Sequence, residues 1–190
     1  MNRDQFGKEG VVSATDARLL AILQADGRRS YAELGGDLGM AGPSAHERVK
    51  KLESRGVIRG YRADVEPTAL GLNVLAFTWV TQAPGTISTD LTPEFAAIPE
   101  IEECHYIAGE ADYILKIRAR DMDHLGAIVR RVQTTRHVFS TETDVVFSTG
   151  FEGRPLPVGS RGADRADAIG ADRADAMPAV VAETDGAEGS

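Results

Sequence analysis

A cluster of basic residues lies between Ser44 and Arg62, in a chain whose formal net charge is −8. Lys and Arg neutralise phosphates, so basic residues concentrated within an acidic chain indicate contact with a polyanion such as DNA. Six basic side chains fall in this stretch, against two acidic ones, and they are Arg48, Lys50, Lys51, Arg55, Arg59 and Arg62.

Residues that could carry out catalysis are sparse by comparison. The four histidines do not have the spacing of metal ligands, and no pairing of a nucleophile with a base stands out. Cys104, the single cysteine, excludes an internal disulfide and is interpreted as a small apolar residue within a strand. We therefore predict no catalytic residue, no metal and no cofactor.

Composition predicts a chain of one or two small domains in the cytoplasm. The chain has 190 residues, of which 42% are hydrophobic and 26% charged, and it lacks both an apolar membrane-spanning run and a signal peptide. Residues 1–65 hold 11 Lys and Arg against 9 Asp and Glu, whereas residues 66–159 hold 7 against 13. A mildly basic N-terminal unit is therefore expected to precede an acidic one.

The first 60 residues predict three short helices. Thr15 can cap the first, and the second, over residues 31–38, begins after Ser30, another potential N-cap. A turn over residues 39–43 ends with Pro43, which suits the first turn of the third helix. A supporting helix followed by helix, turn and helix is the spacing of helix-turn-helix DNA-binding domains.

The third predicted helix has an apolar face and a polar face. Ala45, Val49 and Leu52 recur at helical spacing and should face the core. The polar face could enter a major groove, although a Lys-rich face is often merely solvated. We predict contacts to bases from Ser44, His46, Lys50, Lys51 and Ser54. Phosphates would be held by the neighbouring arginines Arg28, Arg29, Arg59 and Arg62.

Two features flank that helix. The stretch VIRGYRADV after Gly56 is predicted to be a short strand, which would make the unit a winged helix-turn-helix. Arg48 lies at the edge of the polar face, and we predict that it pairs with an acid of an earlier helix, Asp16 or Glu33.

The middle of the chain predicts a β-α-β-β-α-β order, typical of ferredoxin-like α+β domains. Its third strand places Tyr113, Leu115, Ile117 and Ala119 on one face, while Lys116 and Arg118 lie on the other. The helices would cover the apolar face. The second face would remain available to another copy of the sheet.

These segments resemble the Lrp/AsnC (feast-famine) family of transcriptional regulators. The matching stretches are TDARLLAILQADGRRSYAELGGDLGM, ERVKKLESRGVIRGYRADVEPTALG and IAGEADYILKIRARDMDHL, and the resemblance covers about Val12 to Pro157. It implies an N-terminal helix-turn-helix domain joined to a C-terminal ferredoxin-like domain that binds a small effector, usually an amino acid. It also implies homodimers formed through the C-terminal sheets, which assemble further into tetramers or octamers.

The resemblance also implies where the effector binds. The positions that match the family's pocket are Ile107, Gly109, Glu110, Ala111, Asp112, Met122, Asp144, Val145 and Val146. Backbone N–H groups of such a turn can hold a carboxylate and an Asp can hold an ammonium, although Gly109 and Asp112 could simply shape the turn. Ala111 stands where the family commonly has an aromatic residue, and Ala41 where it often has Ser at the start of the recognition helix.

The boundaries that we predict are a flexible N-terminus over 1–11, a DNA-binding domain over 12–60, a linker strand over 61–71, a ferredoxin-like domain over 72–157 and a disordered acidic tail over 158–190. The tail contains GADRADAI followed by GADRADAM.

The function that we predict is sequence-specific, amino-acid-responsive transcriptional regulation on double-stranded DNA, without enzymatic activity or a membrane partner. One alternative is an enzyme that resembles siroheme decarboxylases and uses His105, His124, His137 and Arg118. Another, suggested by Ala41, is a metabolite-binding module without DNA binding.

Overall fold

The computed structural model describes residues 12–158, which form two compact units. The helical unit comprises residues 12–62 and 154–158, and the sheet unit comprises Ala63–Gly153. Residues 1–11 and 159–190, which include the predicted flexible N-terminus and almost all of the predicted tail, lie outside the described residues. No helix of the described part is both long and apolar enough to cross a membrane.

The helical unit is the predicted helix-turn-helix. Its elements are α1 (Ala14–Ala25), α2 (Tyr31–Leu38) and α3 (Gly42–Ser54), and Gly56 ends α3 with a φ of 67°. Burial of one stripe from each helix forms the core, which is made by Leu19, Leu34, Ala45, Val49 and Leu52. The predicted inward face of α3 is therefore confirmed.

The helix caps differ from the prediction at one position. Ser13, and not Thr15, caps α1: its Oγ accepts a hydrogen bond from the N–H of Asp16 at 3.1 Å, and Thr15 already lies within the helix. Ser30 caps α2 as predicted, in a reciprocal capping box with Glu33. Ala41, at the N-cap of α3, supplies no side-chain bond, and Pro43 lies in the first turn.

The strand predicted after Gly56, and with it the wing, is absent from the structure, and residues 57–66 are irregular. The N–H groups of Val57 and Ile58 donate to the carbonyl oxygen of Leu52 at 2.9 and 3.2 Å, and both side chains pack against the helical core. Within residues 12–158 no strand lies beside this segment, so its backbone has no ladder of hydrogen bonds to join, and β propensity alone does not make it a strand. A 3₁₀ turn, Pro67–Leu70, follows where a linker strand was expected.

The sheet unit confirms the predicted β-α-β-β-α-β order and the α+β class. Its elements in chain order are β1 (Val74–Gln82), α4 (Thr92–Ala96), β2 (Ile101–Tyr106), β3 (Tyr113–Ala119), α5 (Met122–Gln133) and β4 (Val138–Val145). The strands form one antiparallel sheet in the order β2-β3-β1-β4.

One face of this sheet packs against α4 and α5. The four predicted apolar residues of β3 are at most 2% exposed, and they share a core with Phe95, Leu125 and Ile128 of the two helices. They are Tyr113, Leu115, Ile117 and Ala119. The opposite face, here called the outer face, carries Lys116, Arg118 and the aromatic residues of β1. Because β1 lies between β3 and β4, residues from three strands meet on the outer face.

Candidate functional site

The polar face of α3 forms a shallow groove of about 620 Å³ on the helical unit. It brings together three of the predicted DNA-contacting residues, Lys50, Lys51 and Ser54, and also Glu47 and Arg48. Neither Lys50 nor Lys51 has an ion pair within residues 12–158, and both are exposed. Two ammonium groups without an acidic partner on the outward face of a helix can therefore meet phosphates or base edges.

Arg48 has the structural role predicted for it. Its Nη1 donates to Asp16 Oδ1 at 2.8 Å, which ties α3 to α1. Burial raises the pKa of Asp16, but hydrogen bonds from Ser13 and Arg48 outweigh that effect and hold the pKa below its ordinary value. The pair fixes how α3 sits on the helical core.

Ser44 and His46 lie near the start of α3, outside the groove. Both are exposed, and the His46 ring lies 4.5 Å from the Tyr31 ring, centroid to centroid, with an interplanar angle of 43°. The α2 helix therefore covers one side of the imidazole. The other side and the Ser44 hydroxyl remain available to a ligand.

The four predicted phosphate-binding arginines lie outside the groove, and they differ in whether they already form ion pairs with acidic side chains of the helical unit. Arg29 approaches Asp26 at 3.9 Å and Asp37 at 3.6 Å, so part of its charge is compensated within the unit. Arg28, Arg59 and Arg62 are exposed, and no salt bridge of theirs occurs within residues 12–158. These three are better suited than Arg29 to contact a phosphate.

Tyr61 holds the segment that carries Arg59 and Arg62 against α3. Its hydroxyl donates to Glu53 Oε1 at 3.0 Å, and burial together with this bond raises the pKa of Tyr61 to about 12. Its ring also lies beside Gly27, where an added Cβ would be 3.4 Å from Tyr61 Cδ1. The Tyr61 side chain thus holds this irregular segment in place, whereas the predicted strand would have been held by backbone hydrogen bonds to another strand.

The sheet unit has a cavity of about 850 Å³ at the end of the sheet, between the turn that joins β2 to β3 and strands β1 and β4. This volume lies within the usual range of small-molecule sites. Five of the predicted effector-binding residues line it, namely Ile107, Gly109, Glu110, Ala111 and Asp144.

The other four predicted effector residues do not line the cavity. The carboxylate of Asp112 accepts a hydrogen bond from the N–H of Gln82 at 2.7 Å and so shapes the turn. Met122 begins α5 and is 59% exposed. Val145 and Val146 lie at the end of β4, where the Val146 N–H donates to the carbonyl oxygen of Leu75.

Half of the cavity lining was missed by the sequence analysis. The missed residues come from the central strand β1 and the edge strand β4, and they are Trp79, Thr81, Ser140, Thr141 and Glu142. Trp79 is opposite Glu142 in the ladder, and Phe77 is opposite Asp144. Alternation along β1 and β4 was the available signal, but the register between them could not be read from the chain.

The turn of the cavity offers unused hydrogen-bond donors. Within the described residues, the N–H groups of Gly109, Glu110 and Ala111 make no hydrogen bond, whereas Asp112 N–H donates to Val80 O at 2.9 Å. The φ of Gly109 is not positive, and a Cβ there would meet nothing within 4 Å. The turn therefore does not require glycine for its backbone, and its donors could hold a carboxylate.

The basic residues of the outer face are already compensated. Lys116 Nζ lies 2.8 Å from Glu102 and 3.2 Å from Glu103 and also contacts Glu152. Arg118 contacts Glu102 at 3.2 Å and also Glu152. Burial lowers the pKa of Lys116, but the carboxylates outweigh this effect and raise the pKa above its ordinary value.

The residues of the enzyme alternative occupy separate environments. His105 Nε2 lies 3.1 Å from Glu103, His124 Nε2 lies 3.4 Å from Glu100, and His137 precedes β4 with a φ of 72°. None of these histidines, nor Arg118, lines the cavity. Over residues 12–158, no group of three or more His, Cys, Asp and Glu could hold a metal ion.

Two family models match the two units. Residues 13–53 match the AsnC-type helix-turn-helix domain, and residues 75–156 match the Lrp/AsnC ligand binding domain. The HTH-type transcriptional regulator FL11 of Pyrococcus furiosus is 33% identical over 149 residues, which are 78% of this chain and 98% of that protein. The leucine-responsive regulatory protein of Haemophilus influenzae is 38% identical over 115 residues, 58% of this chain and 68% of that protein.

A solved structure with similar architecture holds a ligand. The feast or famine regulatory protein from M. tuberculosis, complexed with L-methionine, has a TM-score of 0.71 and 30% sequence identity to this chain. The similarity covers 78% of this chain and 100% of that one.

Proposed function

Because the chain belongs to the Lrp/AsnC family of helix-turn-helix transcriptional regulators, we propose that α3 reads its operator DNA through Lys50, Lys51 and Ser54. The observation that carries this proposal is the groove that they line, opposite a stripe buried in the helical core. His46 and Ser44 would contact bases near the start of the helix. Glu47, which was not predicted, could accept a hydrogen bond from a cytosine amino group.

Phosphates would be held mainly by Arg28, Arg59 and Arg62, with a smaller contribution from Arg29. The segment anchored by Tyr61 would bring two of these guanidinium groups to the DNA backbone. Acidic surface elsewhere would disfavour unproductive contacts, since the chain as a whole has a net charge of −8. The regulator would act in the cytoplasm, where it meets DNA.

The cavity of the sheet unit would receive an amino-acid effector. The relatives provide support, because one is named leucine-responsive and another is complexed with L-methionine. The unused N–H groups of the turn would bind the α-carboxylate, and Glu110, Glu142 or Asp144 the α-ammonium. Met122, Asp112, Val145 and Val146 would then act only indirectly.

Assembly would proceed through the outer faces of two sheets, which gives a homodimer that could associate further into tetramers or octamers. A dimer would present two copies of α3 to successive major grooves, about 34 Å apart. Effector binding would bias this arrangement with a coupling free energy of about 1–3 kcal/mol. No catalytic role is proposed, because none of the histidines of the enzyme alternative lines the cavity.

The experiment that tests the DNA-binding face measures operator affinity by fluorescence anisotropy across a range of salt concentrations. In Lys50→Ala/Lys51→Ala the affinity for the operator should fall by more than the affinity for random DNA, because contacts to base edges are lost, and the slope of log K against log salt, which reports on the phosphate contacts, should change less. The control is Arg130→Ala/Arg136→Ala, which removes two exposed charges from the sheet unit. A lysine variant that keeps the wild-type preference for operator over random DNA would contradict the proposal.

A further inference from the structure

We propose that the acidic segment of the chain, residues 159–190, binds the helical unit of the same chain and competes with DNA for its basic surface. This inference rests on the proposed function, because it adds a competitor for the DNA-binding face of α3. The basic surface is defined by the exposed cations of that unit whose side chains form no ion pair within residues 12–158. They are Lys50, Lys51, Arg28, Arg59 and Arg62.

The acidic segment and the helical unit carry opposite charges of equal size. Residues 12–62 and 154–158 hold ten Lys and Arg against six Asp and Glu, a net charge of +4. The acidic segment holds three Arg against seven Asp and Glu, a net charge of −4. A surface whose potential attracts phosphates also attracts carboxylates. The acidic segment is therefore a polyanion that complements the basic surface.

The stretch that leads into the acidic segment is bonded to the helical unit. Leu156 N–H donates a hydrogen bond to Gln24 Oε1 at 2.6 Å, and Gln24 Nε2 donates one to the carbonyl oxygen of Leu156 at 3.0 Å. Gln24 lies in the last turn of α1. The acidic segment, which begins three residues after Leu156, therefore starts on the same unit as the basic surface.

A short series of contacts leads from this anchor to α3. Gln24 is followed three residues later by Gly27, where an added Cβ would lie 3.4 Å from the ring of Tyr61. The Tyr61 hydroxyl bonds to Glu53, which is within three residues of both lysines of the basic surface. The arginines of the basic surface are within two residues of Gly27 or Tyr61 in sequence, and they are Arg28, Arg59 and Arg62. The basic surface therefore begins close to the point where the acidic segment is attached.

The length of the acidic segment does not limit this contact. A unit of this size is roughly 25 Å across, whereas the 32 residues of the segment can span up to about 105 Å. Tethering gives an effective concentration on the order of millimolar, so ion pairs that are individually weak are sufficient to occupy the surface for part of the time. Because DNA binds only the chains whose basic surface is free, the apparent DNA affinity falls with the occupied fraction.

Carbodiimide cross-linking of the full chain tests the contact directly, because the reagent joins a carboxylate to an amine only where the two touch. The chain has four lysines, which are Lys8, Lys50, Lys51 and Lys116. We expect mass spectrometry to find the acidic segment joined to Lys50 and Lys51, and an excess of a random-sequence DNA duplex to suppress these products. Products at Lys8 alone, or none, would overturn the inference. In a mixture of ¹⁴N- and ¹⁵N-labelled chains, products that join the two labels would overturn it in favour of contact between copies.

A full-length variant without the seven acidic charges tests the competition by fluorescence anisotropy on the same duplex. At low salt its affinity should exceed that of wild type by about twofold to tenfold. The two affinities should converge as salt rises, because salt also weakens the binding of the acidic segment, so the slope of log K against log salt should be shallower for wild type. The substitutions are Asp164→Asn, Asp167→Asn, Asp172→Asn, Asp175→Asn, Glu183→Gln, Asp185→Asn and Glu188→Gln.

A pair of matched variants separates contact from overall charge. Asp164→Asn/Asp167→Asn should give part of the gain in affinity, whereas Glu94→Gln/Asp123→Asn, which removes two exposed carboxylates of the sheet unit, should give none. Equal gains for the two pairs would overturn the inference, because overall charge would then explain the effect.

Failure of the inference and failure of the proposed function are distinguishable. A seven-residue variant with wild-type affinity at every salt concentration would overturn the inference and leave DNA binding in place. If neither wild type nor this variant binds the duplex at low salt, the proposed function fails and competition with DNA fails with it, while the cross-links still decide whether the acidic segment binds the basic surface.

Discussion

Lysines in the two units have opposite surroundings. Lys50 and Lys51 point outward from α3 and make no ion pair within residues 12–158, whereas Lys116, on a central strand, contacts three carboxylates and is 8% exposed. The same side chain therefore stabilises the fold in one unit and remains available to a ligand in the other. The partners of a charge, rather than the charge itself, distinguish a binding face from a structural one.

The largest expected difference in stability is between two lysine-to-methionine variants, one in each unit. Lys116→Met would remove the only lysine partner of Glu103 among the described residues and leave Glu102 and Glu152 with Arg118. The free energy of unfolding should fall by about 2 kcal/mol, a value limited by the exposure of the three carboxylates. Lys50→Met should change it by less than about 0.5 kcal/mol. Urea unfolding followed by the fluorescence of the single tryptophan, Trp79, measures the sheet unit, and circular dichroism at 222 nm in the same titration measures Lys50→Met, which lies in the helical unit.

DNA affinity should show the reverse order. Lys50→Met should weaken operator binding, while Lys116→Met, assayed where it remains folded, should not. If Lys116→Met were as stable as wild type, the carboxylates would be sufficiently solvated without their cation, and the distinction between the two lysines would not hold.

The second comparison concerns two adjacent glycines of α2. A Cβ at Gly35 would lie 2.6 Å from Met40 O and 2.9 Å from Gly42 N, so Gly35→Ala must push the turn before α3 away, at a cost of about 1–3 kcal/mol. A Cβ at Gly36 would meet nothing within 4 Å, and Gly36→Ala should stabilise the helix by about 0.5–1 kcal/mol. Thermal unfolding followed by circular dichroism at 222 nm compares the two.

Operator affinity provides a second measurement on the same pair. Gly35→Ala should weaken binding even where the protein is folded, because α3 is displaced from the helical core. A Gly35→Ala variant with wild-type stability and wild-type affinity would contradict this prediction, because it would show that the turn before α3 can move without a loss of free energy.

The smallest effect should come from Arg48→Met. Loss of its bond to Asp16 should cost about 1 kcal/mol, a modest value because 41% of the Arg48 side chain is exposed. The pKa of Asp16 in the folded protein lies below 3.8, so its contribution is fully present above pH 3.8 and is lost as the pH falls through the lower, folded value. Between pH 6 and pH 3 the variant should therefore lose less stability than wild type.

A double-mutant cycle of Asp16→Asn with Arg48→Met isolates the pair energy, and Arg28→Met serves as a control for loss of an exposed arginine. If wild type and Arg48→Met lose the same stability between pH 6 and pH 3, the ion pair makes no contribution.

Local patterns predicted the helical unit well. The spacing of Ala45, Val49 and Leu52 predicted which face of α3 is buried. The position of Arg48 at the edge of the polar face predicted an ion pair with an acid of an earlier helix, and that acid is Asp16. Both features depend on helical periodicity, which a single sequence carries. The prediction of a strand after Gly56 was wrong. A strand forms only beside a neighbouring strand, and the local sequence does not specify whether one will lie there.

The cavity shows the same limit in the sheet unit. Its turn was predicted from matching positions, but Trp79 and Glu142 lie 63 residues apart and meet only because of the register between β1 and β4. For Asp112 the sequence left two roles open, binding the ligand or shaping the turn, and its carboxylate accepts a hydrogen bond from the Gln82 N–H. Turn residues such as Asp and Gly can bond to backbone or to a ligand, so the sequence alone did not decide between these roles.

The strand order β2-β3-β1-β4 also has a consequence for protein synthesis. The first strand to leave the ribosome, β1, lies between β3 and the last one, β4, so its backbone groups on one side have no partner until Val145 has been made. The local contacts of α1, α2 and α3, in contrast, are complete once Ser54 has emerged. A nascent chain therefore completes its three-helix bundle well before its sheet, and during that interval the exposed edge of β1 is where a chaperone would be needed.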